Sequence, residues 1–85
     1  MAYRVSFTAH AARQFHKLPK GVQEALRPAI EALAGTPRPP GCATLAGARG
    51  QYRIRVGQYR VLYGVDDSAS VVLVVAVGHR REVYR

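Results

Sequence analysis

Two short stretches on either side of Gly57-Gln58 leave this chain little choice of local structure. Tyr52, Ile54 and Val56 alternate with Arg53 and Arg55, and Tyr59, Val61, Tyr63 and Val65 alternate with Arg60, Leu62 and Gly64. A period of two marks half-buried strands, and Gly at the first central position suits a two-residue hairpin turn. Pairing across that turn sets Val56 against Tyr59, Arg55 against Arg60, Ile54 against Val61 and Tyr52 against Tyr63. The apolar side chains then share one face, and Arg53, Arg55 and Arg60 share the other. Like charges directly opposite each other destabilise a sheet, so such a face points to a polyanion that lies between them.

The rest of the composition agrees with that reading. The chain has 85 residues, enough for one domain over 1–85 with a single core. Hydrophobic residues make up 48%, a globular rather than a disordered balance. Against 5 acidic residues stand 13 basic ones, a net charge of +8. The excess favours nucleic acid, an anionic surface or an acidic protein as partner. Eleven of the thirteen are arginine, which grips phosphate bidentately where lysine acts as a point charge. Cys42 is the sole cysteine, which excludes an internal disulfide and a cysteine-based metal site. Residues 1–7 read as a strand, too short and polar for a signal peptide. The longest apolar run, Val71 to Val77, is far short of a membrane span. A cytoplasmic protein is expected.

Tyr3, Val5 and Phe7 predict a first strand, and Thr8 can cap a helix over about residues 9–17 with Ala12, Phe15 and Leu18 inward. After Leu18-Pro19-Lys20-Gly21, a second helix runs to about Ala34 on the stripe Val22, Leu26, Ile30 and Leu33. Gly35 and Pro37 stop it, and Pro28 predicts a kink or restart inside it. Residues 35–50 read as a long loop anchored by Leu45. The hairpin follows, then a turn at residues 66–70. Val71 to Val77 reads as a central strand covered on both faces, ended by Gly78. Phe7 and Phe15 are expected in the core; Tyr3, Tyr52, Tyr59 and Tyr63 are expected as core or rim aromatics. The order β-α-α-β-β-β predicts a small α+β domain: a mainly antiparallel twisted sheet, an N-terminal helix hairpin on one face, and the arginines on the other.

The order of elements, the hairpin Tyr-Arg-Ile-Arg…Gly-Gln-Tyr-Arg-Val-Leu-Tyr and the ending Val-Gly-His-Arg-Arg-Glu-Val-Tyr together resemble the RelE family, the toxin halves of RelE/ParE-type toxin–antitoxin pairs. The resemblance spans nearly the whole chain. It implies a ribonuclease that cuts messenger RNA in the ribosomal A site and is silenced by an acidic RelB-like antitoxin. It also implies site residues: Arg53 and Arg55 match the family's basic pair on the first hairpin strand, and Arg60 its arginine on the second. Arg80 matches the basic residue after the last strand, and Tyr84 the C-terminal tyrosine. This chain departs from the family in having Arg where Lys is frequent on the first strand, and in a shorter segment between the last strand and the tyrosine.

The chemistry can be weighed on the residues alone. Cleavage of RNA by its own 2′-hydroxyl needs a base, an in-line geometry, stabilisation of the charge on phosphorus, and a proton for the leaving 5′-oxygen. Arginine is protonated at every relevant pH and makes a poor base. Tyr84 among guanidinium groups is drawn toward tyrosinate, so it is expected to activate or orient the 2′-hydroxyl. Arg53, Arg55 and Arg60 are expected to hold the phosphate, with Arg80 on the leaving oxygen and Arg81 as a further RNA contact. His79 is a possible acid or base, since its titration range suits the task; its other reading is a strand-end residue in solvent. His10 and His16 are expected in solvent on the first helix. No His, Asp or Glu spacing resembles a metal site, so neither metal nor other cofactor is expected. Rival readings remain: a solvated basic strand face, a ParE-like gyrase inhibitor without enzymatic activity, and a general RNA-binding module.

Overall fold

In the computed structural model, which describes residues 2–45 and 50–82, two helices cover one face of a five-stranded sheet. The elements are β1 (Arg4–Phe7), α1 (Ala9–His16), α2 (Lys20–Glu31), a 3-10 turn (Ala32–Ala34), β2 (Ala43–Thr44), β3 (Gln51–Val56), β4 (Tyr59–Asp66) and β5 (Val71–His79). The sheet order is β1-β5-β4-β3-β2. β1 runs parallel to β5 and the other pairs are antiparallel. This is the expected α+β architecture with one additional edge strand, β2.

Thr8 caps α1, its side chain accepting a hydrogen bond from the Ala11 N–H at 3.1 Å. The buried residues of α1 are Ala11 and Phe15, not Ala12. The two lie four residues apart, on one helical stripe. Ala12 borders an outer groove instead. Where β1 ends, α1 takes over the edge of β5, and the Gln14 side-chain oxygen accepts from the Val77 N–H at 2.8 Å. On α2 and the turn after it, Leu26, Ile30 and Leu33 are buried and Val22 packs beside them. α2 runs through Pro28 without a restart. The proline removes only its own N–H, and the facing Glu24 turn is exposed, where water can take the freed carbonyl.

Under the helices lie Ile54, Val61, Tyr63, Val72, Val74 and Val77. Tyr63 is fully buried, and its hydroxyl donates to the Pro37 carbonyl at 2.8 Å, which satisfies its polar end. Phe7 is not core. It ends an edge strand, stays 37% exposed and meets Phe15 edge-to-face at 5.8 Å. Within the stretch expected as a long loop, Ala43–Thr44 forms β2, which pairs with β3 through Ala43 opposite Arg53 and Thr44 opposite Tyr52. No described helix is long and apolar enough to cross a membrane.

The far end of the sheet from the hairpin turn is tied by a polar clasp. Arg38 in the loop donates to both Asp67 oxygens (3.3 and 2.8 Å) and to the Tyr52 hydroxyl (2.9 Å). Its guanidinium lies 5.2 Å from the centre of the Tyr52 ring. Tyr3 donates to Asp67 at 2.6 Å. Arg38 and then Tyr3 hold the Asp67 carboxyl below its ordinary range, while Asp67 pushes the Tyr3 hydroxyl up. A carboxylate held low stabilises the fold above its unfolded value, and that contribution fades as pH falls through the folded value. Urea unfolding of wild type and Asp67→Asn should therefore differ at pH 6 and draw together as pH falls below the ordinary aspartate range. A constant difference across that range would show that Asp67 acts by shape rather than charge.

Candidate functional site

Alternation places the three hairpin arginines as the sequence requires. The observed register is Arg55 opposite Arg60, Ile54 opposite Val61, Tyr52 opposite Tyr63 and Arg53 opposite Leu62. Gly57 takes φ +60 at the first turn position, a conformation that costs glycine nothing. Ile54 and Val61 point into the helix-side core, so Arg53, Arg55 and Arg60 project from the other face. Arg53 and Arg55 are two residues apart on one strand, roughly 7 Å. Arg55 and Arg60 sit directly across, with Cβ atoms about 5 Å apart. Arg55 is exposed, whereas Arg53 and Arg60 are half-buried and the Arg60 Nε is shielded from solvent.

This face is not purely basic. Leu62 and Ala76 are buried on it, with Leu45 and Val75 packed beside them. This second apolar cluster supports the strands from below the arginines. Toward the opposite end, Leu73 stays 38% exposed, so β5 is covered on both faces only in part.

A β-bulge decides which β5 residues join the arginines. Leu62 pairs with Ala76 and Tyr63 with Val74, which leaves Val75 as the extra residue. Beyond Val75 the faces of β5 are exchanged. Val77 returns to the helix-side core, and Gly78 lies opposite Arg60 on the arginine face. Gly78 therefore belongs to the strand, which runs to His79. Having no side chain, it adds no bulk of its own beside Arg60. A lone Gly after an apolar run reads as a strand end, and only the pairing reveals its position.

The same bulge takes His79 to the helix side. His79 pairs with Tyr59, and their rings meet edge-to-face at 5.5 Å. The His79 Nδ1 accepts from the Arg81 N–H at 3.2 Å, so a neutral ring carries its proton on Nε2. The structure does not bring this imidazole together with Arg53, Arg55 and Arg60.

Arg80 begins the turn after β5. Its N–H donates to the Gln58 carbonyl at 2.8 Å, which docks the Arg80 backbone against the hairpin turn. Arg80 and Arg81 are exposed. Glu82 closes the turn by donating its N–H to the His79 carbonyl at 2.8 Å. Tyr84 lies outside the described residues. His10 and His16 are exposed, as expected. Among the described residues, no group of three or more His, Cys, Asp or Glu could hold a metal ion.

What the face can do follows from its charge. Arg53, Arg55 and Arg60 can bind a phosphate and stabilise added negative charge on it, but none can take a proton. Like charges set directly opposite each other on neighbouring strands repel. Arg55→Thr should raise stability to urea by about 0.2–1 kcal/mol at low ionic strength, and the gain should shrink as salt screens the pair. Unchanged or lower stability at low salt would show that the opposition costs nothing.

The chain matches the sequence model described as ParE toxin of type II toxin-antitoxin system, parDE, over residues 4–84. It is 36% identical to Toxin RelG of Mycobacterium tuberculosis, covering 100% of this chain and 99% of that one. With the mRNA interferase toxin RelE of Escherichia coli it shares 34% identity, over 99% and 92% of the two chains. Among solved structures, a RelBE toxin–antitoxin complex from Mycobacterium tuberculosis superposes with TM-score 0.82 at 32% identity, covering 96% and 95% of the chains. The intact Escherichia coli RelBE complex also gives 0.82, at 31% identity over 92% and 96%. By fold, hairpin and whole-length similarity, this chain belongs to the RelE/ParE family of type II toxin–antitoxin toxins.

Proposed function

We propose that this chain is an mRNA interferase: a metal-independent endoribonuclease that cuts messenger RNA in the ribosomal A site. The observation that carries the reading is the opposition of Arg55 and Arg60 beside the bare Gly78, with Arg53 two residues along the same strand. Similarity to a relative named an mRNA interferase supports it.

In the proposed reaction the 2′-oxygen attacks the adjacent phosphorus and the bond to the 5′-oxygen breaks. The products are a 2′,3′-cyclic phosphate and a free 5′-hydroxyl. Arg53, Arg55 and Arg60 hold the phosphate and stabilise the charge that grows on its oxygens, the largest single source of such catalysis. Arg80, docked at the hairpin turn, is close enough in the chain to serve the leaving 5′-oxygen. Tyr84 orients the 2′-hydroxyl or takes its proton, a task no arginine can perform. His79 faces the other way and is left out of the proton path. A site with so few proton-transfer groups depends on an already aligned substrate, and the ribosome supplies that alignment.

Primer extension on a message in a translating lysate should show in-frame cuts with wild type. Arg60→Ala and Tyr84→Phe should lower cutting by 100-fold or more while both proteins stay folded; wild-type cutting by either would remove that residue from the mechanism. The match to the ParE description favours one rival, a non-enzymatic gyrase inhibitor. Broken or relaxed reporter plasmid with intact message would establish that rival instead.

The partner that silences the toxin is proposed to be an acidic RelB-like antitoxin, as the solved RelBE complexes of relatives suggest. A groove of about 360 Å³ between β1, α1 and α2 offers it a second foothold, away from the basic face. Val5, Phe7, Phe15 and Ile30 give it apolar surface, and His16, Arg27 and Glu31 also line it. That surface suits an apolar side chain of the antitoxin. Phe7→Glu should weaken antitoxin binding at least tenfold in calorimetry and leave cutting intact; unchanged affinity would place the antitoxin elsewhere.

A further inference from the structure

Behind the arginine face, around the rim formed by the hairpin turn, lies an open groove of about 280 Å³. Gln14, Lys17 and Leu18 at the end of α1 form one wall, and Tyr59, His79 and Glu82 the other. The phosphate chemistry uses none of these residues. We propose that this groove is a nucleotide subsite that takes the base and sugar of the residue next to the cut, an inference that rests on the RNA-cleaving reading above.

Continuity comes first. Tyr59 and Arg60 are consecutive on β4, as are Gly78 and His79 on β5, and each pair splits between the two faces. The arginine site and the groove are thus two sides of the same few residues. Among the described residues, the Gly57-Gln58 turn, with the Arg80 backbone bonded to it, lies between them. Gly57, Gln58 and Arg80 are exposed on that rim, and none of them carries a bulky apolar side chain.

The lining fits a nucleotide better than it fits a peptide. Tyr59 and His79 supply aromatic surface, and stacking on such side chains is how single strands are held. Because His79 Nδ1 is engaged by the Arg81 N–H, Nε2 is left to donate to a base or sugar. The Gln14 oxygen is likewise committed to the Val77 N–H, so its amide can donate outward. Lys17 supplies charge for a phosphate, and Glu82 can accept from an exocyclic amine or a hydroxyl. Arg80 and Arg81 precede Glu82 in the same exposed turn.

The test uses the full chain and a trinucleotide in which every 2′-hydroxyl is methylated, so that it cannot be cut. Titration into labelled protein should shift the resonances of Lys17, Tyr59 and His79 together with those of Arg55 and Arg60. Lys17→Glu and Tyr59→Leu should each weaken binding by about fivefold or more. Lys17 is exposed, which keeps the test decisive if Tyr59→Leu unfolds. Shifts confined to the arginine face would overturn the subsite, as would equal groove shifts from inorganic phosphate. Shifts produced by the antitoxin and not by the trinucleotide would assign the groove to protein. In the lysate, Lys17→Glu should change which codons are cut while cutting persists; an unchanged pattern beside active wild type also counts against it. Wild type that cuts nothing would instead defeat the nuclease reading, and the titration still decides the groove.

Discussion

Burial of Ile54, Val61 and Tyr63 beneath the helices is the constraint on which the rest of the molecule depends. Side chains on a strand alternate between faces, so committing these three to the core commits Arg53, Arg55 and Arg60 to the opposite side. A slip by one residue would bury the arginines and expose the core, at a cost far above the penalty of opposed charges. Hydrophobic packing thus supplies the energy that holds guanidinium groups where they repel. The repulsion is small in comparison, and it is the property that readies the face for a phosphate.

The remaining elements make that arrangement rigid at both ends. At one end, the two-residue turn and the bond between the Arg80 N–H and Gln58 tie the hairpin to the end of β5. At the other, Arg38, Asp67, Tyr3 and Tyr52 join the loop, the β4–β5 turn and the first strand. β2 pairs directly beside Arg53, so the loop that the clasp anchors also borders the basic face. A second apolar cluster of Leu62 and Ala76 supports the same strands from the other side. Among the described residues, an apolar cluster on the basic face and the Arg38–Asp67 ion pair at the far end both add order around the site.

Local patterns made much of this legible. The hairpin register follows from alternation and a glycine turn, both of which act over a few residues. The Thr8 cap, the Leu26-Ile30-Leu33 stripe and the stop after Ala34 are equally local. Two features escaped because they depend on partners distant in the chain, and a third, the unbroken helix at Pro28, because of its exposure. β2 is two residues long and exists only because β3 offers an edge. Phe7 has the character of a core residue but ends an edge strand. Pro28 sits on an exposed stretch of α2, where a missing hydrogen bond is cheap.

The bulge at Val75 is the clearest division between the two levels. Residues 71–77 read as one unbroken apolar run, and nothing in such a run marks the point where its faces exchange. Pairing with β4 and the cover of α1 decide it, sending Gly78 to Arg60 and His79 to Tyr59. From local chemistry alone came the family, the two helices and the arginine register, since each rests on residues near in sequence. The location of His79, the place of Gly78 opposite Arg60 and the groove behind the hairpin came only from tertiary structure. All three depend on how β5 meets its neighbours, a non-local contact that no short stretch of residues encodes.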